Sequence, residues 1–286
     1  MKPRAALLLI APACVVFLFS FAAPLLMVGR MSFYNVRDGH EVFVGLANYV
    51  KAVADPYFRK SFANVFWLVL FIAPFGIGIP YKISLFLQRF DRRTQSAGRF
   101  IAYVPSFTAG LIMGLLWRWL LARGGMINQI FDYIGLPAVA WFGQPWPARI
   151  AVAMVSLSGG CGGFVILFSA VILSIPKELK EAAIIDGATE RQYRSMVLRP
   201  LLMPTILLAL LLSITGLMLM WEVVYVLFPT GGPLGAATTP VYEVFTTAFM
   251  YSRSNLAAAK GILLLLVVAI VITIQKQIER LTAANR

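Results

Sequence analysis

Two groups of residues have the types and spacing to do chemistry. The first is Glu181-Ala182-Ala183 followed by Asp186-Gly187, set among Lys177, Lys180, Arg191, Arg194 and Arg199. Carboxylates in such a place accept charge-assisted hydrogen bonds from a cationic partner, which are the strong kind. The second is Met218, Trp221, Glu222 and Tyr225, whose spacings of three and four put them on one face of a helix. Aromatic faces stack on the apolar side of a sugar ring, and an ionised carboxylate accepts hydrogen bonds from hydroxyls. Arg118, between Trp117 and Trp119, is a counter-charge for Glu222 or a side chain snorkelling to a surface. Core packing with an interhelical ion pair accounts for the same residues, and both readings stand on spacing alone.

Covalent and metal chemistry have no material here. The chain contains no GxxxxGK[ST] phosphate loop, no HExxH, no CxxC and no GxSxG elbow. Cys14 and Cys161 lie in apolar runs and the single histidine, His40, in a polar stretch, so neither a catalytic residue nor a metal site is expected. Uphill transport by such a chain would draw on an ion gradient or on a separate ATPase.

The elements that position these residues follow from composition. Of 286 residues 60% are hydrophobic and 13% charged, with a mean hydropathy of +0.81. A soluble domain carries about 25% charged residues, and this chain in water would expose large apolar areas. A soluble enzyme, a nucleic-acid-binding domain and a disordered tail therefore fit poorly, and membrane lipid is the expected surrounding. A span needs about 20 mostly apolar residues, and six segments qualify: 5–29, 61–87, 100–121, 150–175, 200–229 and 256–275. The first is longer than a signal-peptide core and lacks a small-residue cleavage site, so it reads as a retained span.

The net charge of +13 fits cationic loops on the cytoplasmic side. Lys and Arg are far denser in segments 1–4, 88–99, 176–199 and 276–286 than in 30–60, 122–149 and 230–255. Both termini are then cytoplasmic. Pro74, Gly76, Gly78 and Pro80 interrupt the second span, and Gly159, Gly160, Gly162 and Gly163 the fourth. Close packing and a pore-lining role both explain them. No strict small-xxx-small signature and no internal repeat stand out.

The loop 176–199 has its own helical grammar. Pro176 suits a first helical turn, and Leu179, Ala182, Ala183 and Ile185 make an apolar stripe ending at Asp186-Gly187, where Gly187 can adopt a left-handed conformation. Thr189 with Gln192 forms the pattern of a capping box that starts a second helix. Two short amphipathic helices around a glycine make a compact knob below the membrane; an interfacial helix on lipid headgroups is the equal alternative.

Glu181-Ala182-Ala183, then Gly187, then Val197-x-Arg199-Pro200 resembles the EAA loop of ABC importer permeases, in which leucine usually precedes the proline. Gly45, Asn48, Tyr49, Asp55, Pro56, Ser61 and Asn64 are similar to the segment before the second span in carbohydrate-type permeases. Residues 100–120 resemble their third span, and Tyr225, Gly231-Gly232-Pro233, Thr238-Thr239 and Tyr242 the segment after their fifth.

The resemblance implies an all-α polytopic protein with the ABC importer type I permease fold. Residues 1–286 would form one transmembrane permease domain of about six helices, multi-pass in a prokaryotic inner membrane. Its coupling residues would be Glu181, Ala182, Ala183, Asp186, Gly187 and Pro200, docking a separate ATPase. The solute class it implies is a sugar, oligosaccharide, polyol or glycerol-phosphate-like molecule. The shared helix face, not the resemblance, assigns Trp221, Glu222 and Tyr225 to its path, with Arg118 as the candidate counter-charge. The implied partners are a second, non-identical permease, two copies of an ABC ATPase subunit and an extracytoplasmic solute-binding protein at the outer segments. No nucleic acid is implied. ATP and magnesium would bind the ATPase, with no cofactor on this chain. A secondary transporter or channel is the competing function class, since ionisable residues in membranes mark ion paths; a membrane-embedded enzyme is disfavoured because the spans hold no His/Asp/Glu cluster.

Overall fold

The structure, a computed structural model, describes residues 11–37, 39–108 and 110–284. Lys2, Arg4 and the expected start of the first span at Ala5 lie outside the described residues, as does Arg286.

Helix α1, Ala11–Ser32, widens into a π turn at Leu18–Ala22 just before Pro24, whose ring and missing N–H disfavour a regular turn. A hairpin follows, β1 (Tyr34–Arg37) against β2 (His40–Phe43), paired from Tyr34↔Phe43 to Arg37↔His40. It is the two-stranded exception to the expected all-helical chain. Helix α2, Ala47–Ala54, leads to Asp55, whose Oδ1 accepts the N–H groups of Tyr57 (2.9 Å) and Phe58 (3.3 Å) and so caps α3, Pro56–Leu87.

Pro74 and Pro80 do not break α3, which runs 32 residues without interruption. Near Pro80, the single Ser84 hydroxyl proton is within reach of two acceptors, the Pro80 carbonyl (2.8 Å) and the Val165 carbonyl of another helix (3.0 Å). The third expected span is not one straight helix. Helix α4, Arg92–Tyr103, passes into a 3₁₀ turn at Val104–Phe107, and α5, Gly110–Leu120, stands 88° from it. Pro105 and the extended Thr108 (ψ 122°) redirect the chain.

Helix α6 (Met126–Tyr133) precedes α7 (Pro145–Ser174), α8 (Lys177–Ile185) and α9 (Glu190–Leu219). After α10 (Glu222–Leu227), α11 (Pro240–Phe245) extends as a π turn over Thr246–Met250, and α12 is Ser254–Ala284. Helices α1, α3, α7, α9 and α12 are long and apolar enough to cross a bilayer, and the bent pair α4–α5 makes up to six. Phe17, Phe19, Phe21 and Leu26 of α1 are all exposed, as side chains meeting lipid would be.

Two compact units make up the chain, Met1–Arg59 with Glu243–Val267, and Lys60–Tyr242 with Val268–Arg286. In the first, buried Asn48 donates to the Ser32 and Tyr34 carbonyls (both 3.0 Å), and Asn255 donates to the Met31 carbonyl (3.0 Å). In the second, Leu68, Ala151, Val152, Val155, Phe168, Leu202 and Ala209 are essentially inaccessible. Segment 235–240 is buried there, with Gly231 and Tyr242, while Leu234 stands out at its turn. Asn64 donates to the Gly235 and Thr238 carbonyls (2.8 and 3.0 Å), and Tyr242 Oη to that of Pro229 (2.7 Å). Gly231 has φ +80°, and a Cβ on it would meet Thr238 Cγ2 at 2.5 Å, so only glycine fits the turn.

Candidate functional site

The loop between α7 and α9 is built as a rigid corner. Helix α8 ends with the Ala188 N–H donating to the Ala183 carbonyl (2.9 Å) and the Gly187 N–H to that of Ile184 (3.0 Å). This paired closure needs a left-handed residue, and Gly187 supplies it at φ +75°. Two residues later the expected capping box is formed: the Gln192 N–H donates to Thr189 Oγ1 (3.3 Å), and the Thr189 N–H to Gln192 Oε1 (2.8 Å).

The second helix of the loop is not short. It runs through a π turn at Tyr193–Leu198 and past Arg199-Pro200 directly into the span, so α9 is one piece from Glu190 to Leu219. The π turn accommodates the ring of Pro200, which a tight α turn would meet at the preceding carbonyl. Pro176 lies at the N-cap of α8, one position before its first turn.

Ion pairs and an apolar base hold the corner. Glu190 binds Arg194 (2.8 Å) and reaches across to Lys180 of α8 (3.4 Å), whose ammonium also stands 5.8 Å from the Tyr193 ring. Ala183, Tyr193, Leu198 and Leu202 form a buried cluster against Tyr81, Leu85, Val171 and Ile172. Of the expected apolar stripe only Ala183 is buried; Leu179, Ala182 and Ile185 face outward, Ile185 at 85% exposure. Most apolar side chains of α8 thus point away from the chain's own core. Glu181, Asp186 and Gly187 are exposed, and a groove of about 430 Å³ beside α8 is lined by Arg89, Lys177, Lys180, Glu181 and Arg194.

The expected solute-path face is split. Helix α9 ends at Leu219, Met220 is extended (ψ 122°) and Trp221 is non-helical, so Met218 belongs to a different helix from Glu222 and Tyr225. Met218 is buried. The hydroxyl of Thr239 donates to the Met220 carbonyl at this break. Trp221, at the N-cap of α10, and Tyr225 within it remain neighbours, ring centroids 6.4 Å apart. Arg118 donates to the Val226 carbonyl (2.8 Å), satisfying the C-terminal turn of α10, and no ion pair joins it to Glu222 among the described residues. The Glu222 carboxylate lies instead against Gly110 at the start of α5, where a Cβ would meet its Oε2 at 2.7 Å. A helix N-terminus favours a negative charge.

Gly110 and Gly114 are one helical turn apart, and a Cβ on Gly114 would come within 3.1 Å of Val226. A small-xxx-small pair is therefore present after all, packing α5 on α10 within the chain. The glycines of α7 divide by role. Gly162 abuts the backbone at Ala102 and Tyr103, whereas Gly160 has open space and lines a cavity of about 290 Å³ with Gly76, Ser156, Cys161, Ser213 and Gly216. Trp221, Glu222 and Tyr225 do not line that cavity.

Sequence reasoning missed a charge cluster in which buried Lys260 and Glu243 meet the partly exposed Asp55. Its signal was Lys260, the ionisable residue inside the otherwise apolar segment 256–275.

Residues 74–283 match the model of the family described as binding-protein-dependent transport system inner membrane component. The chain is 28% identical over 276 residues to the arabinooligosaccharides transport system permease protein AraP of Bacillus subtilis (strain 168), covering 94% of this chain and 87% of that one. It is 29% identical over 280 residues to the diacetylchitobiose uptake system permease protein NgcF of Streptomyces coelicolor, covering 91% and 79%. A chain in the crystal structure of a bacterial alginate ABC transporter, in complex with an alginate pentasaccharide-bound periplasmic protein, superposes with a TM-score of 0.84 at 22% identity, covering 98% of this chain and 96% of that one. That likeness shows the polytopic helical fold.

Proposed function

We propose a role for this chain from the premise that it belongs to the family of binding-protein-dependent transport system inner membrane components. As the membrane-spanning permease subunit of an ATP-driven importer, it forms half of a translocation pathway, with a second, non-identical permease forming the other half. The solute is polyhydroxylated and of the carbohydrate class, as the names of the relatives suggest. A binding protein delivers it at the segments 30–60, 122–149 and 230–255, and both termini are cytoplasmic, in keeping with the Lys and Arg distribution.

Force enters through the corner between α8 and α9. The observation that carries this reading is a capped, ion-paired corner that turns Leu179, Glu181 and Ile185 outward while α9 continues unbroken into the membrane. A subunit without nucleotide chemistry must receive displacement through a stiff contact, and α9 is a lever of 30 residues attached to that contact. Glu181, Ala182, Ala183, Asp186 and Gly187 form the contact surface, and Pro200 sits where the lever joins the span. ATP and magnesium act in two copies of the ATPase subunit.

Co-purification tests the reading. An ATPase subunit should remain with the chain through detergent extraction, and uptake in vesicles should stop when ATP is withdrawn. A chain that transports its solute on an ion gradient alone, with no ATPase attached, would be the secondary transporter of the competing class.

A further inference from the structure

The charge cluster joins three elements of the first compact unit. Asp55 sits between α2 and α3, Glu243 on α11 with Thr247 in the π turn that extends it, and Lys260 on α12. The Lys260 side chain is only 2% exposed; its Nζ lies 2.7 Å from Asp55 Oδ2, 2.8 Å from Thr247 Oγ1 and 3.8 Å from Glu243 Oε2. The Phe58 ring stands 5.4 Å from the ammonium. One enclosed cation therefore faces two carboxylates at unequal distances. Asp55 holds the closer position, with its Oδ1 fixed by the N–H groups of Tyr57 and Phe58. The Glu243 side chain, 8% exposed, has the longer contact.

With Asp55 at 24% exposure holding the closer contact to Lys260, an ionised Glu243 would be a second, enclosed negative charge beside a cation already paired, which is costly. We propose that Glu243 is a proton-binding site, taking a proton from the aqueous phase so that Lys260 and Asp55 remain as a pair of zero net charge. Burial pushes the Glu243 carboxyl up to about 7, with Lys260 opposing the rise and Asp55 adding to it. Burial raises Asp55 as well, but the hydrogen bond and charge of Lys260 and the two backbone N–H donors hold it below the usual carboxylate range. Asp55 and Lys260 are the charged groups that act on Glu243 among the described residues.

The sign follows from proton linkage. A carboxyl whose value is raised in the fold binds more protons folded than unfolded, so the stability it contributes is present at lower pH and is lost as pH rises through about 7.

The test uses the full-length chain in lipid nanodiscs and reads proton uptake rather than solute uptake, so its outcome is separate from the transport reading. On going from about pH 8 to about pH 6, the infrared difference spectrum should gain a protonated-carboxyl band that Glu243→Gln lacks. The parent should melt about 3 °C higher at the lower pH, and Glu243→Gln should show no such slope. Asp55→Asn, which removes the repelling charge, should move the midpoint of the band to lower pH. A band that survives in Glu243→Gln, a parent without the band, or a midpoint unmoved in Asp55→Asn would each overturn the proposal.

Discussion

The Ala188 N–H reaches back to the Ala183 carbonyl at 2.9 Å, and that bond closes only with Gly187 between them at φ +75°. No atom lies within 4 Å of where a Gly187 Cβ would sit, so a substitution there meets backbone strain and no clash. For an ordinary residue that strain is about 1–2 kcal/mol, and least for asparagine. Gly187→Val should therefore abolish uptake while Gly187→Asn keeps most of it, with the helical circular dichroism of both unchanged. Normal uptake by Gly187→Val, with the ATPase still attached, would remove the corner from the coupling path.

Glu181 is exposed on the outward side of α8, beside the groove containing Lys177 and Arg194. A surface change of this kind alters stability by at most about 0.5 kcal/mol. Glu181→Lys should thus insert and melt like the parent, yet lose its ATPase on purification. Retention of the ATPase through the same wash would show that the carboxylate is merely solvated.

Local grammar was legible in the sequence and long-range pairing was not. The capping box at Thr189 and the left-handed stop at Gly187 depend on residues within one turn, and both are formed as read. The bend after Tyr103 and the break at Met220–Trp221 escaped because hydropathy runs on through both. A window that counts apolar residues cannot see an extended ψ at Thr108 or Met220. Arg118 and Glu222 looked like partners by charge, but each finds a helix terminus nearer, a carbonyl of α10 and the first turn of α5. The Asp55–Glu243–Lys260 cluster joins Asp55 to two residues far along the chain, a pairing that periodicity does not carry.

Lys260 supplies the positive charge for two carboxylates. Lys260→Met should cost about 1.5–3 kcal/mol, because it removes the charged hydrogen-bond donor from the partly exposed Asp55. Adding Asp55→Asn should recover about 1–3 kcal/mol, since the double variant leaves one unpaired carboxylate fewer. Thermal melts of the parent, both single variants and the double variant measure the coupling. Additive losses would mean that the 2.7 Å contact contributes nothing of its own.

Arg118 acts on the backbone of α10 rather than on Glu222. Arg118→Met should cost about 0.5–1.5 kcal/mol, the net worth of a hydrogen bond whose donor is also open to solvent. The coupling between Arg118→Met and Glu222→Gln in a double-mutant cycle should be near zero. A coupling of about 1 kcal/mol or more would restore the interhelical ion pair. Uptake measured across solute concentrations separates the other role: Trp221→Ala and Glu222→Gln should raise the concentration needed for half-maximal transport if α10 faces the solute.

The glycines of α7 offer a paired experiment in one helix. A Cβ on Gly162 would lie 2.3 Å from the Ala102 carbonyl oxygen and 2.7 Å from Tyr103 Cα, both backbone atoms that cannot rotate aside. Gly162→Ala must push α7 away from α4, an overpacking that costs about 1–3 kcal/mol. Two residues earlier, Gly160 has nothing within 4 Å and lines the cavity with Gly76 and Gly216. Gly160→Ala gains helix propensity of up to about 1 kcal/mol and narrows that cavity by one methyl group. Gly162→Ala should therefore melt below the parent, while Gly160→Ala should melt at or above it. Equal melting temperatures for the two variants would mean that α7 and α4 are not in the close approach described, and that the glycine run serves neither helix packing nor the cavity wall.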